Sequence, residues 1–204
     1  QDHLGGAELT TDALIDASDM EVYRLHSQNV TLDLLAQGSK KYWIFGNFAG
    51  MNLDLVPTIV SNLNYSIVEY DYKYCRYRSP EKHASAENKL CNCHNEMQGK
   101  MVSAFYYGSN SLFWMSENQM NLYHQMFPFL VKKLNTVLSS IFSPATLDSI
   151  RKIRNQNKEK NDTWKIVGST SWIKGIPESE SYCKANNLDY EIVFDLSHCE
   201  LLEN

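Results

Sequence analysis

The feature that most narrows the fold is an alternation of short apolar runs with segments of helical period. The run Tyr42-Trp43-Ile44-Phe45-Gly46 is apolar throughout and only long enough for a strand. A strand apolar on both faces must be covered on both, as happens in a parallel sheet flanked by helices. The alternation continues toward the C-terminus. Residues 53–63 read as a helix with Pro57 near its start, 65–70 as a strand, 97–107 as a helix and 112–116 as a strand. A helix over 117–127 is stopped by Pro128, a short strand spans 136–138, and 144–154 is a helix with Pro in its first turn and basic residues in its last. Upstream, Leu9, Ala13, Leu14 and Ala17 share one helical face, residues 21–26 form a short strand candidate, and Thr31 caps a brief helix to Leu35. The fold class predicted is α/β, a Rossmann-like, mainly parallel sheet with helices on both faces.

Residues 156–163 are polar and charged and suit a linker. They separate a domain over 1–155 from a shorter unit over 164–204, whose strand 164–168, helix 177–185 and strand 190–194 make one β-α-β. A single β-α-β leaves apolar strand residues such as Ile166 and Ile192 uncovered, so self-association into a homo-oligomer is expected. Both chain ends read as cut, giving the expectation of a fragment.

Charge and cysteine content exclude several classes. Lys and Arg total 19 against 24 Asp and Glu, a net charge of −5, which disfavours broad contact with a nucleic-acid backbone. No apolar run approaches the roughly 20 residues needed to cross a bilayer, and the first residues lack a secretory pattern. Five cysteines, an odd number, do not suggest a disulfide framework, so a reduced, cytoplasmic setting is expected. In that setting the Asn-x-Ser/Thr triplets at Asn29, Asn64 and Asn161 are chance.

Several residues could carry chemistry. Periodicity fails over 71–95, a connection long enough to be functional or disordered, which holds Cys75, His83, Cys91, Cys93 and His94. Cys91-x-Cys93-His94, with Cys75 and His83 nearby, offers thiolate and imidazole ligands for zinc, although its spacing departs from the common C-x₂-C pair and idle buried thiols are the plainer account. Glu69-Tyr70-Asp71 lies at the carboxyl end of a parallel strand, the edge where open α/β sheets hold ligands, and Asp71 equally suits a turn cap. Ser116-Glu117 ends another strand, with a helix cap as its plainer role. Gly5-Gly6 opens a helix and suits an anion or a tight turn. Lys174-Gly175 precedes a helix and suits a diphosphate or ordinary solvation. Tyr72, Tyr74, Arg76, Tyr77 and Arg78 could meet a sugar or an acidic ligand, or simply pack. His3 and His26 could move protons near the same edge.

In order along the chain, these segments resemble a glycosyltransferase of the GT-B fold, most like glycosyltransferase family 4. Gly5-Gly6-Ala7-Glu8 matches that family's GGAE segment, and residues 65–71 sit where it ends a strand in a His-Asp pair. Phe113-Trp114-Met115-Ser116-Glu117, with Tyr123 and Phe127-Pro128, looks like its "vi.vSe…y…fp" segment. Leu138-Ser139-Ser140 through Phe142 sits where the family crosses between domains, and Val167-Gly168…Lys174-Gly175 looks like the "vG…KG" that opens its donor-binding domain. The resemblance implies transfer of a sugar from a nucleotide-diphosphate donor to a glycan or other acceptor. Gly5 and Gly6 would approach the donor phosphates or the reacting sugar, Lys174 and Gly175 the leaving diphosphate, and Asp71 and Tyr70 would be the catalytic residues. Glu69, Ser116 and Glu117 would face the acceptor side, and no metal would be required. Tyr70 stands where the family has histidine, and Ser169 where it has an arginine on the diphosphate. The family's E-x₇-E segment would lie beyond Asn204, so weak or no catalysis is expected from this chain alone. The alternatives from other classes are a non-catalytic nucleotide-sugar or glycan binding module and a metal-stabilised interaction domain.

Overall fold

The computed structural model describes residues 5–156, 162–168 and 174–194. Its contacts divide the chain into two compact units, one over Ala13–Ile141 and the other grouping residues up to Asp12 with those from Phe142 onward. That division falls ahead of the polar stretch at 156–163, of which 157–161 lie outside the described residues.

The first unit is built on a four-stranded, wholly parallel sheet, so the fold class is α/β. Strands β1 (Tyr42–Phe45), β2 (Asn64–Glu69), β3 (Ser111–Trp114) and β4 (Leu134–Val137) lie side by side in chain order. Parallel neighbours need a crossover, and helices supply it. α3 (Val56–Asn62) follows β1, α4 (Pro80–Glu87) and α5 (Met97–Gly108) follow β2, and α6 (Glu117–Met126) follows β3. Ahead of the sheet in the chain comes α2 (Leu32–Gln37), and α1 (Gly6–Asp16) runs across the division between the units at Asp12. The register runs Phe45–Ile67–Leu112–Asn135 across the sheet, which places Glu69, Trp114 and Val137 together at its carboxyl end. β2 is buried from Tyr65 to Glu69, so both of its faces are covered.

Side-chain caps fix where helices begin. Thr31, Ser79, Ser116 and Ser143 each accept a backbone N–H from the first turn of the adjoining helix. The core is aromatic: Tyr65 stacks on Phe105 and donates to its carbonyl at 2.6 Å, and Phe45 and Phe48 meet the Phe105 ring edge-on. Such edge contacts add about 0.5–1.5 kcal/mol each to the area they bury.

Three expectations change. Residues 21–26 form no strand; Val22, Tyr23 and Leu25 are exposed. β1, read as buried on both faces, is an outer strand of the described sheet, with Tyr42 and Ile44 exposed and only Phe45 buried. The aperiodic stretch 71–95 contains α4, whose signal is its start, Ser79-Pro80-Glu81, rather than an apolar stripe.

In the second unit α7 (Pro144–Asn155) precedes β5 (Trp164–Val167), α8 (Ile176–Ala185) and β6 (Tyr190–Val193), with β5 and β6 parallel. Ile166, expected to be uncovered, is buried, as is Cys183 of α8. The apolar side chains left exposed on β5 are Trp164 and Val167 instead. Among the described residues no helix is long and apolar enough to cross a membrane.

Candidate metal centre

The segment after β2 turns back on itself before α4. Tyr72 N–H donates to the Arg78 carbonyl at 3.4 Å, Cys75 N–H to Tyr72 at 2.8 Å and Arg78 N–H to Cys75 at 2.8 Å. This closure holds Arg78 at φ 55°, a left-handed conformation costing about 1–2 kcal/mol for a side chain with a Cβ. Cys75 is thereby turned inward. α4 then brings His83 under the loop, and Asn88, at φ 50°, reverses the chain so that Cys91 and Cys93 return to the same place. One ligand atom from each of Cys75, His83, Cys91 and Cys93 lies within 4.8 Å of the others. The Cys75 and Cys93 sulfurs stand 3.6 and 3.4 Å from His83 Nδ1.

These distances are informative. Zinc bonds of about 2.3 Å to sulfur and about 2.0–2.1 Å to nitrogen, at the tetrahedral angle, separate S from N by about 3.6 Å. The structure thus contains a Cys₃His group able to hold a metal. Cys75, His83 and Cys93 are buried, and His83 Nε2 has no hydrogen-bond partner among the described residues. Burial pushes the Cys91 thiol up to about 12 and raises the Cys75 thiol as well, so the pocket disfavours bare thiolates. A bound cation reverses that preference, because it stabilises the deprotonated ligand directly.

The ligand set corrects the sequence reading. Cys91 and Cys93 belong to it, but His94 does not. The His94 ring packs edge-on to Phe127 and its Nε2 lies 3.1 Å from Asn95 Nδ2. Adjacent residues in this 3₁₀ turn point in different directions, so the imidazole next to Cys93 in sequence is not the one beside it in space. Gly99 of α5 makes room for the turn: a Cβ there would collide with the Cys93 carbonyl and lie 2.6 Å from His94 Cα.

Beside the centre lies a buried ionic network. Glu69, expected on the acceptor side, is only 1% exposed. Its carboxylate accepts from Lys73 Nζ at 2.8 Å, Tyr123 at 3.1 Å, the Asp71 N–H at 2.9 Å, and the Tyr106 hydroxyl. Burial raises Glu69 to about 7; Lys73 pulls it down and Asp71 pushes it up. Burial and the neighbouring carboxylate also raise Tyr123. Lys73 reaches Asp71 Oδ1 at 3.1 Å, and Arg78 pairs with the other Asp71 oxygen. Gln119 of α6 ties the same edge together: its Nε2 donates to the Asp71 carbonyl at 3.0 Å and its Oε1 accepts from Met115 N–H at 2.8 Å.

The remaining candidates are spread over both units. Asp71 and Tyr70 are half-buried at the end of β2. Ser116 is the N-cap of α6, accepting from Gln119 N–H at 3.1 Å, and Glu117 is exposed in its first turn. Gly5 and Gly6 are exposed at the start of α1, where a Cβ on Gly5 would lie 2.8 Å from the Glu8 carboxylate. Lys174 is exposed, and Gly175 (φ 75°) is the left-handed N-cap of α8. Lys174 lines a concave space of about 560 Å³ with Lys165, Glu178, Ser179 and the exposed face of β5. Ser169, His3 and Asn161 lie outside the described residues. Tyr72 and Tyr74 pack on Tyr123, Arg76 pairs with Glu96 and Glu87, and His26 precedes a 3₁₀ turn. Sequence reasoning missed Lys73, Tyr106 and Tyr123 as a network. Nothing in the local pattern marks them, since Tyr106 and Tyr123 come from different helices.

Comparison of the chain with protein-family models, curated proteins and solved structures returns no match.

Proposed function

We propose that this chain belongs to a sugar-transferring protein of GT-B type, using a nucleotide-diphosphate donor, and that its Cys₃His group holds zinc. The sugar-transfer reading is supported by where the loosely matching segments fall. Tyr70-Asp71 follows β2 and Ser116-Glu117 follows β3 into α6, while Gly5-Gly6 and Lys174-Gly175 open α1 and α8. Carboxyl ends of parallel strands and helix N-termini are where open α/β sheets bind phosphorylated ligands. In this reading Lys174 neutralises the diphosphate. The test is calorimetric titration of the chain with UDP, GDP and their sugars, beside a Lys174→Ala variant. Binding that Lys174→Ala weakens by about tenfold supports it; no binding to any of these ligands removes it.

The zinc reading rests on a separate observation, the 3.4 and 3.6 Å sulfur–nitrogen spacings within a four-ligand cluster. Three thiols and one imidazole suit zinc better than magnesium or calcium, which prefer oxygen. A site with all four positions filled by protein is structural rather than catalytic. Protein purified without chelator is expected to carry about one zinc per chain, and less than about a tenth of that refutes the assignment.

A further inference from the structure

We infer that a metal held by Cys75, His83, Cys91 and Cys93 is a positioning element for the carboxyl end of β2, because the loop it fastens delivers Lys73 and Arg78 to Asp71. The inference rests on the zinc reading and is independent of sugar transfer.

The loop lies between ligands. Cys75 and His83 flank Arg78, whose left-handed backbone is unfavourable without glycine and persists only where its surroundings over-determine it. Three backbone hydrogen bonds hold that turn, and the closing one, from Tyr72 N–H to the Arg78 carbonyl, is long, at 3.4 Å. Before Cys75 the loop is packed into the fold, with Tyr72 and Tyr74 on Tyr123 and Lys73 on Glu69; after it Tyr77 donates to Glu87 at 3.2 Å, and Arg76 reaches Glu96 at 2.7 Å and Glu87 at 3.4 Å, with the arginine 44% exposed. Exposed ion pairs contribute about 0–1 kcal/mol each, so the half of the loop that carries Arg78 gains little from the Arg76 pairs. A four-coordinate metal contributes far more and acts at four points of the segment.

The loop matters because of the cations it carries. Lys73 lies two residues before ligand Cys75, and Arg78 three residues after it. Both cations end on Asp71, one on each carboxylate oxygen. Lys73 also supplies the only cationic partner found for Glu69 among the described residues. The same loop lines a cavity of about 150 Å³ with Lys73, Cys75, Arg76 and Arg78, and Phe48 and Gln98 line it too. Releasing Cys75 frees this wall and lets the Asp71 carboxylate lose its fixed orientation.

Hydrogen–deuterium exchange on the intact chain, stripped by chelator and then reloaded with zinc, tests this. Cobalt(II) loading serves as the coordination readout, since thiolate ligation gives sulfur-to-metal charge-transfer absorption. Metal binding is expected to slow exchange at Tyr72, Cys75 and Arg78 by about tenfold or more while leaving β3 unchanged. If about one equivalent binds through thiolates and these amides do not change, the positioning role is wrong and the metal assignment survives. If no metal binds, the metal assignment falls and takes this inference with it. Loss of protection throughout β1–β4 on stripping overturns the local role in favour of global stabilisation. A Cys183→Ser variant, altering a buried thiol outside the cluster, is expected to behave like the parent.

Discussion

Replacing Lys73 with methionine is the most decisive perturbation of the buried network. The Lys73 and Glu69 side chains are 2% and 1% exposed and meet at 2.8 Å. Methionine keeps most of the stem's volume, so little of the effect comes from a cavity. The charge is lost, and Glu69 keeps two tyrosine hydroxyls and one amide but no cation. Removing one member of a buried pair costs about 3–5 kcal/mol, and the three surviving donors favour the lower end. The cost depends on pH with a definite sign. Glu69 sits at about 7 in the fold against an ordinary 4.5, so the folded state holds its proton more tightly than the unfolded chain. Its contribution to stability is therefore greatest below about 4.5, declines as pH rises towards about 7, and is level above that. Without Lys73 the carboxyl rises further. Urea unfolding at about pH 8, where Glu69 is largely ionised in the parent, is expected to show a loss of about 3 kcal/mol; at about pH 5, where it is neutral in both folded proteins, about 1 kcal/mol. Glu69→Gln combined with Lys73→Met should cost less than the sum of the two single changes by about 2 kcal/mol. An equal loss at both pH values, or strict additivity, would refute the ion pair as the source.

Three further outcomes are expected from the packing. Gly99→Ala should gain about 1 kcal/mol of helix propensity yet destabilise overall, and should lower zinc content, because its methyl displaces the Cys93 carbonyl; unchanged zinc content argues against that contact. Ser116→Ala should cost about 1 kcal/mol in thermal or urea unfolding by removing the α6 cap, with metal content unaltered. Gly175→Ala should cost about 1–2 kcal/mol because φ is 75° there, read as destabilisation of the second unit by proteolysis or unfolding.

Much of the element order was legible because helix and strand periods are local. The strand read over 65–70 forms at Asn64–Glu69, and the helix read over 97–107 at Met97–Gly108. α4 escaped because its sequence, PEKHASAE, has no apolar stripe; a capping serine and a first-turn proline were its only marks. The run at Tyr42 misled for a different reason. Apolar composition states what a strand can tolerate on each face, whereas exposure depends on its place in the sheet.

Thiols and imidazoles in an irregular stretch were enough to suggest a metal, since those ligand types are rare together and chemically specific. Choosing His83 over His94 required the turn at Asn88 and the helix before it, which decide what faces the sulfurs. Glu69 likewise looked like a strand-end carboxylate free to act on a ligand, and only α5 and α6, closing over it with Tyr106 and Tyr123, made it an interior charge. Propensity, capping and ligand chemistry are properties of neighbours along the chain. Burial, pairing and coordination arise between residues brought together by packing, and those the tertiary structure decided.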